Sequence, residues 1–466
     1  MSEIKEHTRI LSFKEKLSYG LGTFGDQLSS NGITNTVKPV YNIFLGINPG
    51  MIGTALMAGK IIDAFTDPLM GWISDNTRTR FGRRRPYILI GAMLCAVAFL
   101  LPWLVSVNWT NQTQFIYLIA TTMMVALFST VYTVPWTALG MELTPDYNER
   151  NSVMAFRTFT SLFCYVSIIP WLWYWSQHKV FANPVAGLRW ISIGAGLFIM
   201  IGGIACFRGC KERYYRISKS QQTQLFLSTI KTTLKNRSFI IILGLTLCQV
   251  LGMSAAQSLG LYVSTYHVYG GDTVKGARMI AVFQVVQAVS GMLSLPLVLW
   301  AASKYGKRAV MTATFVLAII ASSSQWFLFT PAYPLLQLIP PVFIAPSNAA
   351  FWLINGSMRA DIADDDEFKT GIRREGAYGS IARWFEKLAY SLNYLISGLI
   401  LNWVGFDVAL KGNQNSDTII QMRAAYAFYP VLLCLAGLIL VKIYPLTEKK
   451  LKEYRKVLEE RRGAVK

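Results

Sequence analysis

Apolar stretches long enough to cross a bilayer recur along this chain, and that repetition leaves few folds open. A membrane-spanning helix needs about 20 apolar residues. About twelve such segments can be placed, each end good to about 2–4 residues. They lie near 17–46, 51–74, 86–107, 115–143, 153–175, 189–207, 238–265, 276–303, 307–329, 333–360, 378–404 and 422–445. In hydrocarbon every backbone N–H and C=O must be satisfied within the protein. Each segment therefore reads as helix, and the expected fold is an all-α membrane protein of twelve transmembrane helices. The first segment is the least apolar. It carries Asp26, Gln27, Ser29, Ser30, Asn31, Thr34, Asn35, Thr36 and Lys38. A helix that polar cannot face lipid and is expected to line a cavity.

Composition points the same way. Charged residues are 15% of the chain, against about 25% in soluble domains, and mean hydropathy is +0.37. These values argue against a soluble enzyme or a disordered chain. The formal charge of +20 would otherwise raise nucleic-acid binding. Here it falls in short clusters between spans, so membrane lipids are expected as neighbours and nucleic acid is not. Six cysteines (Cys95, Cys164, Cys206, Cys210, Cys248 and Cys434) read as small buried hydrophobes rather than a disulfide frame or metal site. The charged start MSEIKEHTRILSFKEK lacks the apolar core of a cleaved signal peptide.

The loops alternate in charge. Arg78, Arg80, Arg83, Arg84 and Arg85 follow span two, and Arg208, Lys211, Arg213, Arg216, Lys219, Lys231, Lys235 and Arg237 fill the centre. Lys304, Lys307 and Arg308 follow span eight, and the tail holds Lys449, Lys450, Lys452, Arg455, Lys456, Arg461 and Arg462. The opposite loops (47–50, 108–114, 176–188, 266–275 and 405–420) are nearly uncharged. The positive-inside rule places both termini in the cytoplasm, which requires an even number of spans. The chain also echoes itself. GWISDNTRTRFGRRRP (71–86) corresponds to LWAASKYGKRAV (299–310), setting Gly82 against Gly306. ERNSVMAFR (149–157) corresponds to REGAYGSIAR (374–383), setting Arg157 against Arg383. The expected organisation is a six-helix bundle over 1–207, a basic linker over 208–237, a second bundle over 238–445 and a basic amphipathic tail over 446–466. Two pseudo-symmetric halves of this kind are the architecture of major facilitator transporters, with the solute site at the repeat interface.

Ionisable residues inside spans are costly and mark function by default. In KIIDAFTDP, Asp63 and Asp67 stand one turn apart on one helix face. Stacked carboxylates repel unless a cation or proton sits between them. Hard oxygen ligands suit Na⁺, Li⁺ or H⁺ rather than a thiol-loving metal. Pro68 follows directly, and Lys60 lies one turn before Asp63 on the same face. Lys387, Arg383 one turn before it, and Arg157 are the intramembrane cations. They either neutralise Asp63, Asp67 and Asp26 or bind the oxygens of a polar solute. By helix geometry Glu386 points away from Lys387. Tyr19, Tyr41, Tyr132, Trp136, Trp352, Trp384 and Tyr390 offer ring faces to a sugar or serve packing. Thr130, Thr133 and Thr137 recur at helical spacing. The segment ADIADDDEFKTGIRREG (360–376) reads as a cytoplasmic loop whose salt bridges close an inner gate, and Asp75, Arg83, Arg84 and Arg374 are the expected gating residues of the cytoplasmic loops. Leu451, Tyr454, Val457 and Leu458 share one face of a tail helix expected to lie on the inner leaflet.

KLSYGLGTFGD (16–26), KIIDAFTDPLMGWISDNTRTRFGRRRPYILIG (60–91), RADIADDDEF (359–368) and REGAYGSIARWFEKLAYS (374–391) together resemble the glycoside–pentoside–hexuronide:cation symporters, a melibiose-permease-like branch of the major facilitators. The resemblance runs over essentially the whole membrane part. It implies coupled uptake of a sugar or glycoside with Na⁺, Li⁺ or H⁺. It implies that Asp63, Asp67 and Thr130 bind the cation. By the same resemblance Arg157 and Trp352 belong to the sugar site, and Lys387 sits between the two sites. Two sugar-binding acids of the family's best-known member appear here as Gln27 and Thr133. Asp26 lies one residue away from the first of these, Tyr132 one residue from the second, and Arg383 replaces a neutral residue.

The expected function is secondary active symport in a plasma membrane, an inner membrane in a bacterium. No enzyme chemistry, no cofactor and no metal beyond the coupling ion are expected, and the expected state is a monomer. An acidic sugar such as a uronide is expected to be preferred. A lysophospholipid-type carrier and a non-transporting membrane receptor are the alternatives.

Overall fold

The computed structural model describes residues 10–144, 147–212, 233–371 and 374–446, with 450, 451, 453, 454 and 457 of the tail. Among the described residues the regular structure is entirely helical. The first helix, α1, is built of five abutting pieces, Phe13–Leu21, Thr23–Gln27, Leu28–Gly32, Ile33–Lys38 and Pro39–Phe44. Then follow α2 (Pro49–Asn76), α3 (Arg85–Leu104), α4 (Asn111–Glu142), α5 (Glu149–Ser176) and α6 (Pro184–Gly209). The second half holds α7 (Arg237–Val268), α8 (Thr273–Tyr305), α9 (Lys307–Leu328), α10 (Pro334–Thr370), α11 (Glu375–Trp403) and α12 (Ser416–Ile443). Among the described residues, nine of the twelve are long and apolar enough to cross a membrane by length and composition. The other three, α1, α2 and α11, are the ones that carry most of the charged candidates.

Short polar residues start these helices. Asn48 accepts from Gly50 N–H, Thr110 from Thr113, Asn183 from Ala186, Asn236 from Ser238 and Phe239, and Asp272 from Lys275. Each side chain takes up amides that have no partner inside the helix. Internal prolines Pro68, Pro135, Pro296, Pro346 and Pro430 are carried without a break. The hydroxyls and amides of α1 turn back on their own helix, Ser29 to Gly25 O, Thr34 to Ser30 O, Asn35 to Asn31 O and Thr36 to Gly32 O. That is how a span so polar remains helical.

Contacts divide the chain into two compact units. One comprises 1–222 with 277–285 and 407–410. The other comprises 223–276, 286–406 and 411–466. In the first unit α2 packs along α4, α3 packs against α4 and α6, and the start of α1 packs against α5 and α6. In the second, α9 packs against α10 and α12, and α7 packs against α10, α11 and α12. Phe239, Phe315, Phe351, Ile354 and Met358 form the centre of that core. Of the expected linker 208–237, only 208–212 and 233–237 fall within the described residues.

Each unit carries the same irregularities. The π-helical turn Leu28–Gly32 in α1 recurs as Val250–Ser254 in α7, and Pro39–Phe44 recurs as Val263–Val268. Gly82 and Gly306 both adopt positive φ, +107° and +82°, the region that side-chain-bearing residues avoid. Arg189 at the start of α6 donates to Trp103 O (2.6 Å) and Val105 O (2.7 Å) at the end of α3. Arg423 near the start of α12 donates to Trp326 O (2.8 Å) near the end of α9. Of the sequence echoes, the Gly82–Gly306 correspondence is thus also one of backbone conformation.

Two expectations change. The segment from 360 is not a loop, because α10 continues to Thr370 and ends at Gly371 in the left-handed conformation. Partners hold its acids in helix. Lys307 bonds Asp361 (2.6 Å), Lys369 bonds Asp365 (2.7 Å) and Arg374 approaches Asp366 (3.5 Å). All of these pairs lie within the second unit. The tail also differs. Leu451 is 7% exposed within the core of the second unit, and Tyr454 stacks on Phe368 at 4.3 Å. At Leu451 and Tyr454 this face packs on protein. Leu458 lies outside the described residues.

Candidate functional site

The spacing of Asp63 and Asp67 sets both carboxylates on the face of α2 that meets α4. There Thr130 Oγ1 lies 3.0 Å from Asp63 Oδ1 and 3.1 Å from Asp67 Oδ1. Thr66 adds a fourth group, with its Oγ1 3.1 Å from that of Thr130. Thr130 is 1% exposed. Lys60 Nζ stands 3.6 Å from Asp63 Oδ2. A hydroxyl has one proton, so Thr130 can donate to only one carboxylate at a time. Four oxygen-bearing side chains converge where two of them carry full negative charge. Such a set suits a hard monovalent cation or a proton. Sequence reasoning passed over Thr66, although it sits inside the same KIIDAFTDP motif, three residues from Asp63.

An aromatic and cationic group lies beside it in the first unit. Trp136 of α4 stacks on Tyr19 at 5.2 Å and on Tyr132 at 6.3 Å. The Arg157 guanidinium of α5 sits 4.7 Å from the Trp136 ring centre. Trp136 Nε1–H donates to Tyr19 O (3.2 Å) and Tyr132 O–H to Gly22 O (2.7 Å). Tyr132 is fully buried and braces α1 on α4. Gln27 faces along α1 and accepts from Asn31 Nδ2 at 2.8 Å. Thr133 is half-buried.

The second unit holds the other cations. Glu386 of α11 interacts electrostatically with Arg359, Arg383 and Lys387. Arg359 was missed, though it begins the RADIADDDEF stretch. Arg383 is exposed, while Lys387 and Glu386 are half-buried. Trp352 of α10 meets Phe351 edge-on at 5.3 Å.

The gating arginines form a compact cluster. Arg84 bonds Asp75 (2.7 Å) and Glu142 (2.8 Å), and Arg83 bonds Glu142. Arg83 and Arg84 are only 7% and 5% exposed. Glu212 accepts the backbone N–H groups of Arg83 (2.9 Å), Arg84 (2.8 Å) and Arg85 (3.0 Å) at the start of α3. A Cβ on Gly82 would come within 2.8 Å of this carboxylate. Arg374 is not part of the cluster and pairs with Asp366. Glu142 and Glu212 escaped sequence reasoning because nothing local links them to 75–85. Among the described residues no group of three or more His, Cys, Asp or Glu could hold a metal ion, and the six cysteines are buried and unpaired.

A family model described as MFS/sugar transport protein matches residues 18–448. An uncharacterized symporter of Bacillus subtilis, YjmB, is 28% identical over 96% of this chain and 95% of its own length. A glucuronide carrier protein homolog of Escherichia coli is 22% identical over 95% and 94%. A crystal structure of a D-xylose-proton symporter superposes with a TM-score of 0.64 at 16% identity, covering 94% of this chain and 98% of that one. That likeness shows a shared fold.

Proposed function

We propose, from the premise that this chain belongs to the MFS/sugar transport family, that it is a symporter driving uptake of a sugar or glycoside with a monovalent cation. The chain is a transporter in a membrane and not an enzyme, and its twelve helices follow the major facilitator fold. The observation that carries the coupling is the Thr130 hydroxyl, held at 3.0 and 3.1 Å between the carboxylates of Asp63 and Asp67. A cation entering there relieves their repulsion and ties α2 to α4. The names of the relatives in Bacillus subtilis and Escherichia coli support symport and a glycoside as cargo. The basic loops support cytoplasmic termini. Free energy comes from the ion gradient and membrane potential, about 2.3 kcal/mol per charge per 100 mV.

The cargo is an acidic sugar. Arg383 and Lys387 stand one turn apart on α11, and Arg359 of α10 is a third cation within electrostatic reach of Glu386, so this group is formally positive and suited to a carboxylate. The test is counterflow in proteoliposomes, with matched glucuronide and glucoside, and galacturonide and galactoside, as competitors. Uronides should compete better in wild type, and the preference should fall in Arg383→Gln. Equal competition in wild type, or an unchanged preference in the variant, refutes the acidic assignment. Absence of Na⁺-, Li⁺- or H⁺-driven accumulation of any glycoside refutes the symporter.

A further inference from the structure

The second unit holds a polar group that neither the sequence nor the family reading singled out. Gln249 is the last α-helical residue of α7 before the π-helical turn Val250–Ser254. It is 1% exposed. Its Nε2 donates to Asn348 Oδ1 of α10 at 3.1 Å. Its Oε1 is buried and has no hydrogen-bond partner among the described residues. A buried amide oxygen left in this way is costly and needs an explanation. Exchanging O and N in both amides leaves the same inventory, one carboxamide oxygen and one NH₂ group.

The frame around the pair is stiff. One turn back along α7, Thr246 Oγ1 accepts from Asn355 Nδ2 at 3.1 Å, inside the core. Asn348, Trp352 and Asn355 stand at i, i+4 and i+7, so they share one face of α10. Trp352 therefore lies between two amide bridges that join α10 to α7. The π-helical turn following Gln249 packs against α11, the helix of Lys387. Such turns collect at functional sites. In the first unit Gln27 also immediately precedes a π-helical turn, though its bond to Asn31 lies within α1.

We infer that Gln249 and Asn348, flanked by Trp352, form a hydroxyl-recognising subsite in the second unit. The ligand class is a polyhydroxylated ring. A sugar hydroxyl donates to Gln249 Oε1 and accepts from the Asn348 amide, while the apolar ring face lies on Trp352. This rests on the reading of the protein as a glycoside carrier and names the residues that choose among glycosides.

The test uses the full chain in proteoliposomes, with counterflow of methyl β-D-glucuronide and methyl β-D-glucoside and their monodeoxy analogues. The variants are Gln249→Met and Asn348→Leu, both near in volume to the native residue. Expected is a rise of about tenfold in half-saturation for the better parent glycoside. One deoxy analogue, lacking the hydroxyl that the pair holds, should bind wild type and variants alike. The Na⁺-induced thermal shift should not change, since the cation site is in the other unit. Unchanged affinity for the parent overturns the subsite. So does an equal loss for every analogue, which marks a merely structural bridge. If wild type exchanges neither glycoside nor any analogue, the carrier reading fails and the subsite falls with it. If wild type exchanges and the variants match it, only the subsite falls.

Discussion

Replacing Asp63 by Asn removes one unit of charge and almost no volume, which makes it the sharpest probe of coupling. In the structure both carboxylates reach the same hydroxyl, at 3.0 and 3.1 Å. A cation beside that hydroxyl is therefore close to both. A unit-charge pair at about 4 Å, with an effective dielectric of about 20, contributes about 4 kcal/mol. The Asp63 side chain is 13% exposed, and solvent that halves the interaction leaves about 2 kcal/mol, or about thirtyfold in affinity. Lys60, now 3.6 Å from Asp63 Oδ2, would face a neutral amide and repel the cation further. The assay is twofold. The Na⁺ concentration that half-saturates the thermal shift of purified protein should rise at least about thirtyfold. Uphill accumulation in proteoliposomes should disappear, while solute counterflow persists in part. Near-normal accumulation with half-saturation within about threefold of wild type would refute the cation assignment.

Lys387→Ala should uncouple or abolish transport, because it removes one of three cations that Glu386 interacts with; a normal cation-to-solute ratio and rate would reduce Lys387 to a structural role. Glu212→Ala should lower the thermal midpoint by an amount equivalent to about 1–3 kcal/mol, since three backbone N–H groups at the start of α3 lose a charged acceptor. Glu212→Gln should retain part of that, and an unchanged midpoint in the Ala variant would contradict the role. The Lys275 backbone N–H, followed by its ammonium, holds the Asp272 carboxyl below the usual carboxylate range. Its contribution is therefore present above the unfolded value of about 3.9 and lost as pH falls through the lower folded value. Asp272→Asn should flatten the acid limb of the stability–pH curve, most visibly at low salt because the pair is partly exposed, and an identical limb would exclude it.

How much of this was legible in the residues follows from the range of the physics involved. Helix periodicity is local, so the four-residue spacing of Asp63 and Asp67 already determined that they share a face. The length of each apolar run determined that the backbone must be helical, even in α1, where the side chains argued otherwise. Gly82 and Gly306 carried a turn geometry that only glycine adopts readily. Partner choice across helices is not local. Nothing near Asp75 shows that Glu142 and Glu212 close around Arg83 and Arg84, since residues far apart in the chain meet only once α2, α3, α4 and α6 have packed. The same holds for the acids of 361–366, which stay helical because lysine and arginine reach them. It holds for Gln249, whose bond to Asn348 spans 99 residues. A charge or amide in a span announces by its cost that it must be satisfied. The identity of the group that satisfies it depends on which helix faces are pressed together, and only the tertiary structure decides that.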